Sequence, residues 1–271
     1  MTFTSNVLTL EFNEHIATLW LDRVEARNAM GRDLWVDLPR AAEAIAANSE
    51  TRVLIIAARG PHFTVGLDLK QMGGTLVGGG ETKSHAQKSA TMFQAVLDMQ
   101  HAINVFEQLE IPVIAAVHGY CIGGGIDFIT AADMRFASSD AVFSVREAKV
   151  AIVADLGTLQ RLPRLVSPGH VAELAFTGKD IDAARAERIG LVNEVVEGSA
   201  EAVYEKALEV AREIAANSPL VVAGTKKVLD APARRAVPQR AAAPPHQQFR
   251  SLPRARPHGF LVCRSQSASV E

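Results

Sequence analysis

The sequence predicts an α/β fold, with parallel strand–helix units followed by a mainly helical C-terminal part. Three observations predict it. Two short, unbroken apolar runs, Val53–Ala58 and Ile111–Val117, suit strands buried on both faces. A long helical period (Phe93, Val96, Met99, Ile103, Phe106, Leu109) lies between them. Between residues 169 and 229 most of the chain shows helical apolar spacing.

Each element follows from local pattern. Val7–Phe12 and Ile16–Leu21 alternate well enough for a hairpin joined by Asn13-Glu-His15. Residues 33–47 repeat Leu34, Trp35, Leu38, Ala41, Ala42 and Ile45 at helical spacing. Val53–Ala57 is the next strand, and the glycine-rich residues 73–84 read as a flexible loop. A helix runs from about His85 to Glu110, where Pro112 ends it, and Val113–Val117 is a strand. A helix begins near Gly124, and Met134–Ala137 and Val142–Val145 read as short strands. Helices are expected over 169–176, 182–189, 200–216 and from Ser218-Pro219 to Leu229.

Bulk composition narrows the function classes. Apolar residues make up 48% of the 271 and charged residues 21%, ordinary for a globular protein with a sizeable core. No apolar run is long enough to span a bilayer, and Met1–Asn6 has no basic or long apolar character, so neither a membrane span nor a secretory leader is expected. With only two cysteines, Cys121 and Cys263, neither a disulfide framework nor a metal-ligand cluster is expected, and a reducing cytoplasm is the simplest setting. A net charge of −2 supplies no general basic field for nucleic acid.

That charge is unevenly spread. Residues 231–271 hold seven Arg, no Lys and one acid, so the remainder is strongly acidic. This Pro-rich tail lacks a sustained period. It reads either as a disordered basic tail or as a segment translated out of an ancestral frame near Asp230.

The chemistry concentrates around Val117-His-Gly-Tyr-Cys-Ile-Gly-Gly-Gly-Ile-Asp127. Bare backbone at the start of a helix presents unpaired N–H groups and a dipole that favours negative charge. A phosphate would suit such a turn, as would a carbonyl oxygen gaining charge, although neither phosphate-loop fingerprint is complete here. A second N–H donor could come from His62-Phe-Thr-Val-Gly66-Leu-Asp-Leu69, which follows a buried strand and centres on one glycine. Three acids flank the turn: Asp127, then Glu147 after Arg146, then Asp155 in Ala154-Asp-Leu-Gly-Thr-Leu-Gln-Arg-Leu-Pro163. Acids beside an anion-holding turn suit proton transfer next to a carbonyl.

Val65-Gly-Leu-Asp-Leu69 followed by Cys121-Ile-Gly-Gly-Gly-Ile-Asp127 resembles the crotonase (enoyl-CoA hydratase/isomerase) superfamily over roughly residues 5–230, and Asn28-Ala-Met30 fits the same pattern. The resemblance implies a spiral of ββα units over residues 1–197, a helical trimerisation region over 198–230, and homotrimers or hexamers. It implies an acyl-CoA thioester whose oxygen is held by the backbone N–H groups of Leu67 and Gly124. Val65, Gly66, Leu67, Asp68 and Leu69 would lie along the bound coenzyme A, which belongs to the substrate; no cofactor or metal is expected.

Within the superfamily, Asp127 and Glu147 fall where hydratases carry two glutamates, and Asp155 falls where hydratases carry a glycine. The stretch from Glu147 to Pro163 resembles the 3,5–2,4-dienoyl-CoA isomerases. By that resemblance Glu147 takes a proton from carbon 2 and Asp155 gives one to carbon 6; on physical grounds Asp127 could press on the others by its like charge or orient a partner. Alternatives remain: enoyl-CoA hydratase using Asp127 and Glu147, a single-acid 3,2-enoyl-CoA isomerase, or a catalytically impaired scaffold. Taken singly, Asp127 could compensate a helix dipole, Asp155 could cap a helix, and Glu147 could pair at the surface with Arg146 or Lys149. For His118 a packing or hydrogen-bonding role is expected, and for Cys121 that of a small apolar filler.

Overall fold

The computed structural model describes residues 3–76 and 84–236. Strands β1 (Leu8–Asn13) and β2 (Ile16–Leu21) form the expected antiparallel hairpin. Helix α1 (Arg32–Ala47) buries Leu34, Trp35, Leu38, Ala41, Ala42 and Ile45, the residues whose spacing predicted it. Strand β3 (Val53–Ala58) follows, then α2 (Leu69–Leu76) and α3 (His85–Glu107). Next come β4 (Val113–Val117), β5 (Tyr120–Ile122) and α4 (Gly124–Ile129). The chain continues through β6 (Met134–Ser138), β7 (Val142–Ser144), α5 (Thr158–Arg161) and α6 (Pro168–Thr177). It then forms β8 (Ile181–Asp182), α7 (Ala183–Arg188), β9 (Glu194–Val196), α8 (Ala200–Ala215) and α9 (Pro219–Ala236).

Among the described residues the strands make two sheets. The larger has the order β1-β2-β3-β4-β6-β9 and is parallel except for the hairpin. The smaller has the order β5-β7-β8. Period-two alternation divides the larger sheet between two apolar clusters. Leu54, Ile56, Val113, Ala115 and Val117 face the main core, while Val53, Ile55, Ile114 and Ala116 face α8. Helix α8 meets them with Val203, Ala207, Ala211 and Ala215, one residue per turn and mostly small, so its backbone sits close to the sheet.

The structure changes two expectations. Residues 73–76, read as loop, complete α2, because the Asp68 carboxylate accepts from Lys70 N–H and Gln71 N–H and caps the helix, and Met72 is buried beneath it. Residues 77–83 of that loop lie outside the described residues; Ser84 then opens α3 through a reciprocal capping box with Gln87. At the other end, α9 runs on to Ala236, six residues into the segment that showed no period. Ala and Arg favour a helix without any apolar pattern, which is why periodicity missed it. Residues 237–271 lie outside the described residues, so neither reading of the tail is tested there.

Candidate active site

The 64–68 segment is spliced between two other pieces of chain. On one side Met30 N–H donates to Gly66 O (2.8 Å) and Asp68 N–H to Met30 O (3.1 Å). On the other, Thr64 N–H donates to Tyr120 O (2.8 Å) and Ile122 N–H to Thr64 O (3.2 Å). Asn28 braces the turn: its amide bonds Arg59 O and His62 O, and its own carbonyl accepts from Thr64 Oγ1. In this parallel register Leu67 spends neither its N–H nor its C=O on Met30, so both point away from that neighbour.

The glycines make the approach possible. Gly66 has φ +85°, and a Cβ there would stand 2.7 Å from Ile122 O and 3.8 Å from Gly123 Cα. A Cβ at Gly124 would stand 2.8 Å from Met30 Sδ. The Gly66 and Gly123 backbones therefore pass close to each other. Gly123 N–H donates to Ser144 O, whereas Gly124, the first residue of α4, has no acceptor within its helix. Among the described residues neither Leu67 N–H nor Gly124 N–H has a backbone acceptor.

Burial alternates along the neighbouring residues. Gly66 and Asp68 are buried, Val65 and Leu67 half-buried, and Leu69 exposed. The Asp68 carboxylate is committed to Arg23 Nη1 (2.8 Å) and to the α2 cap, and the Arg23 hydrogen bond holds its pKa below the usual range. Any contact of Asp68 with a ligand therefore falls to its backbone.

The acids differ in what surrounds them. Asp127 is 1% exposed, and its Oδ1 accepts from Thr158 N–H at 2.6 Å, so it fastens the start of α5. Burial pushes its pKa up to about 6. Glu147 lies in the single turn after β7, and its Oε1 would be 3.4 Å from a Cβ on Gly123. Its Oε2 is buried with no hydrogen-bond partner among the described residues. Burial, then the nearby charge of Asp127 and Asp155, pushes its pKa up to about 7. Asp155 is half-buried, and burial raises its pKa too. The surface-pair alternative for Glu147 fails for Arg146, which bonds Asp180 instead. The cap alternative belongs to Asp127: Gly157, not Asp155, precedes α5.

The remaining candidates behave as expected. His118 is buried with Nε2 2.8 Å from Gly60 O. Cys121 is buried beside Gly125, and burial pushes its thiol pKa well up, which suits a filler rather than a nucleophile. Periodicity missed the polar residues behind the Asp155 turn: Gln100, Asn104 and Glu107 of α3, and Arg161.

The family model described as enoyl-CoA hydratase/isomerase matches residues 11–255. The chain belongs to this family. That match also runs beyond Asp230, where the resemblance read from motifs ended. Among relatives within the enoyl-CoA hydratase/isomerase family, the peroxisomal Delta(3,5)-Delta(2,4)-dienoyl-CoA isomerase of Arabidopsis thaliana is 37% identical over 226 residues, covering 83% of this chain and 81% of that protein. The mitochondrial protein of the same name from Dictyostelium discoideum is 40% identical over 225 residues, covering 82% and 76%. Among solved structures, an enoyl-CoA hydratase from Bacillus anthracis superposes with a TM-score of 0.73 at 31% identity, covering 83% of each chain. An enoyl-CoA hydratase/isomerase from Xanthobacter autotrophicus Py2 gives 0.77 at 28%, covering 86% and 82%. The fold expected from the resemblance is therefore the fold observed. The cytoplasmic setting rests on the cysteine count alone, and these two relatives are named for other compartments.

In this family member the buried Asp127 carries a stability consequence. A carboxyl whose folded pKa lies above its unfolded value binds more protons when folded, so stability falls as pH rises between the two values. With a folded pKa of about 6 against 3.8, ionised Asp127 costs about 3 kcal/mol above pH 6. Asp127→Asn keeps an oxygen for Thr158 N–H and cannot ionise. Its melting temperature should exceed the parent's at pH 8, with the gap closing towards pH 4. An equal gap at both pH values would contradict a raised pKa at this site.

Proposed function

We propose that this chain isomerises 3,5-dienoyl-CoA to 2,4-dienoyl-CoA in fatty acid β-oxidation, through a dienolate held by backbone amides. Glu147 removes a proton from carbon 2, and the electron pair spreads through the diene onto the thioester oxygen. Leu67 N–H and Gly124 N–H receive that charge; losing one such donor costs on the order of 3 kcal/mol in the barrier. Asp155 then protonates carbon 6, leaving double bonds at carbons 2 and 4. Atoms and electrons balance within the substrate, so the step needs no redox cofactor or metal. Val65, Leu67 and Leu69 offer the ligand side of their segment, and Gly66 and Asp68 contribute through backbone.

One observation carries this reading: a second half-buried carboxyl, Asp155, lies near enough to Glu147, whose Oε2 is buried without a partner among the described residues, for its charge to act on it, and burial raises the pKa of both. A raised carboxyl pKa suits proton exchange with carbon, and that of Glu147 is about 7. The hydratase alternative would have Asp127 and Glu147 share a water, but Asp127 is enclosed and already accepts from Thr158 N–H. A homotrimer or hexamer belongs to the same proposal, supported by Leu220, Val221, Val228 and Leu229, which α9 leaves 64–82% exposed. No helix among the described residues is long and apolar enough to cross a membrane.

The direct test supplies the purified protein with a 3,5-dienoyl-CoA and follows absorbance of the conjugated 2,4-dienoyl thioester, with hydration of a 2-enoyl-CoA measured in parallel. Isomerisation should greatly exceed hydration. Hydration without isomerisation would overturn the proposal.

A further inference from the structure

Side chains hold three backbone groups of the Asp155 turn, two from α3 and α4 and one from Arg161 at the end of α5. The Asp155 carbonyl accepts from Gln100 Nε2 of α3 at 2.6 Å. The Leu156 carbonyl accepts from Arg161 Nη1 at 3.4 Å, a long bond. Gly157 has φ +131°, and a Cβ there would collide with the same Nη1, so the guanidinium fills the space a side chain would need. Thr158 N–H donates to Asp127. Arg161 is itself fixed from behind: its side chain is 7% exposed, Nε and Nη2 reach Glu107 Oε2 at 3.0 and 2.9 Å, and Nη2 also bonds Asn104 Oδ1.

This hardware holds the main chain of the turn and leaves the acid alone. The Arg161 donors described here reach α3 side chains and the Leu156 carbonyl, none of them the Asp155 carboxylate. A direct ion pair would stabilise the carboxylate and oppose its protonation. Holding the backbone instead fixes where the carboxyl sits and keeps it able to carry a proton. A group that must deliver a proton to one distant carbon needs that placement, because misplacement by about 1 Å can cost about 10²-fold.

We propose that Arg161 and Gln100 are positioning residues for Asp155, clamping the 155–158 turn onto α3 so that its carboxyl meets the far end of the diene. The proposal rests on the isomerase reading given above, and it assigns these residues to the second proton transfer only. Glu147 hangs on the 147–150 turn and is not held by this clamp. Deprotonation at carbon 2 should therefore outlive the loss of the clamp.

The experiment compares Arg161→Lys and Gln100→Leu with the parent, reading three quantities: kcat for product, KM for the dienoyl-CoA, and exchange of the carbon 2 hydrogens with D2O in recovered substrate. Product formation should fall about 10- to 100-fold, with KM and carbon 2 exchange each within about 3-fold of the parent. A merely structural role would lower exchange and turnover together, and that result overturns the inference, as does unchanged turnover in both variants. If Arg161→Lys shows no cooperative melting transition, Gln100→Leu decides, since it removes one donor from a half-buried side chain. A parent protein that exchanges no carbon 2 hydrogen and makes no product would strike down the isomerase reading itself. A parent that turns over, with variants losing both activities in parallel, strikes down the clamp alone.

Discussion

Asp155→Asn should abolish product formation, by about 10³-fold, while leaving exchange at carbon 2 intact. The asparagine keeps the shape of the side chain, and the turn is held through the Asp155 carbonyl and its neighbours rather than through the carboxyl. The fold should therefore survive. What disappears is a proton at the right place for carbon 6. The dienolate still forms at Glu147 and returns its proton to carbon 2, so substrate recovered from D2O should carry deuterium although little 2,4-dienoyl-CoA accumulates. Full isomerase activity in this variant would refute the assignment of two separate proton-handling acids.

Glu147→Gln should lose both signals. A glutamine cannot take the carbon 2 proton, so neither exchange nor product should exceed about 10⁻³ of the parent rate. Folding should be unharmed or improved, because Oε2 is buried without a partner and an amide carries no charge to bury. For the parent, kcat/KM should pass through a maximum with pH. Raising the pH ionises the base, whose pKa is about 7 for Glu147, and helps abstraction; it also ionises the acid and removes the donor. The three carboxyls influence one another, so the two limbs belong to the group of acids rather than to single residues. A flat profile from about pH 5 to 8 would contradict this scheme, as would exchange at carbon 2 in the glutamine variant. The two variants together separate the steps: one stops the reaction before the dienolate, the other after it.

Much of the site was legible in the chain itself. The glycine turn at 123–125 was placed at a helix start, and α4 begins at Gly124. The two backbone donors come from motif resemblance, and among the described residues neither Leu67 N–H nor Gly124 N–H has a backbone acceptor. Asp127 is where legibility ended. Its position early in a short helix was visible, but the distance from Thr158 was not, and that bond makes it a brace for the Asp155 turn. Arg146 is a similar case: adjacent to Glu147 in sequence, it turns to Asp180 instead. Strand β5 was missed because three residues are too few to show a period.

Sequence by itself determined the elements and the chemistry they carry. Apolar runs and helical spacing report which face of a segment avoids water, and those local rules gave β3, β4, α1, α3 and α8. Tertiary structure alone decided which polar groups meet. Gln100 reaches Asp155, Arg161 reaches Asn104 and Glu107, and Asp127 reaches Thr158 across separations of 31 to 57 residues. Hydrogen bonds are short-ranged and directional, so their partners depend on how α3, α4 and α5 pack, which no local period encodes.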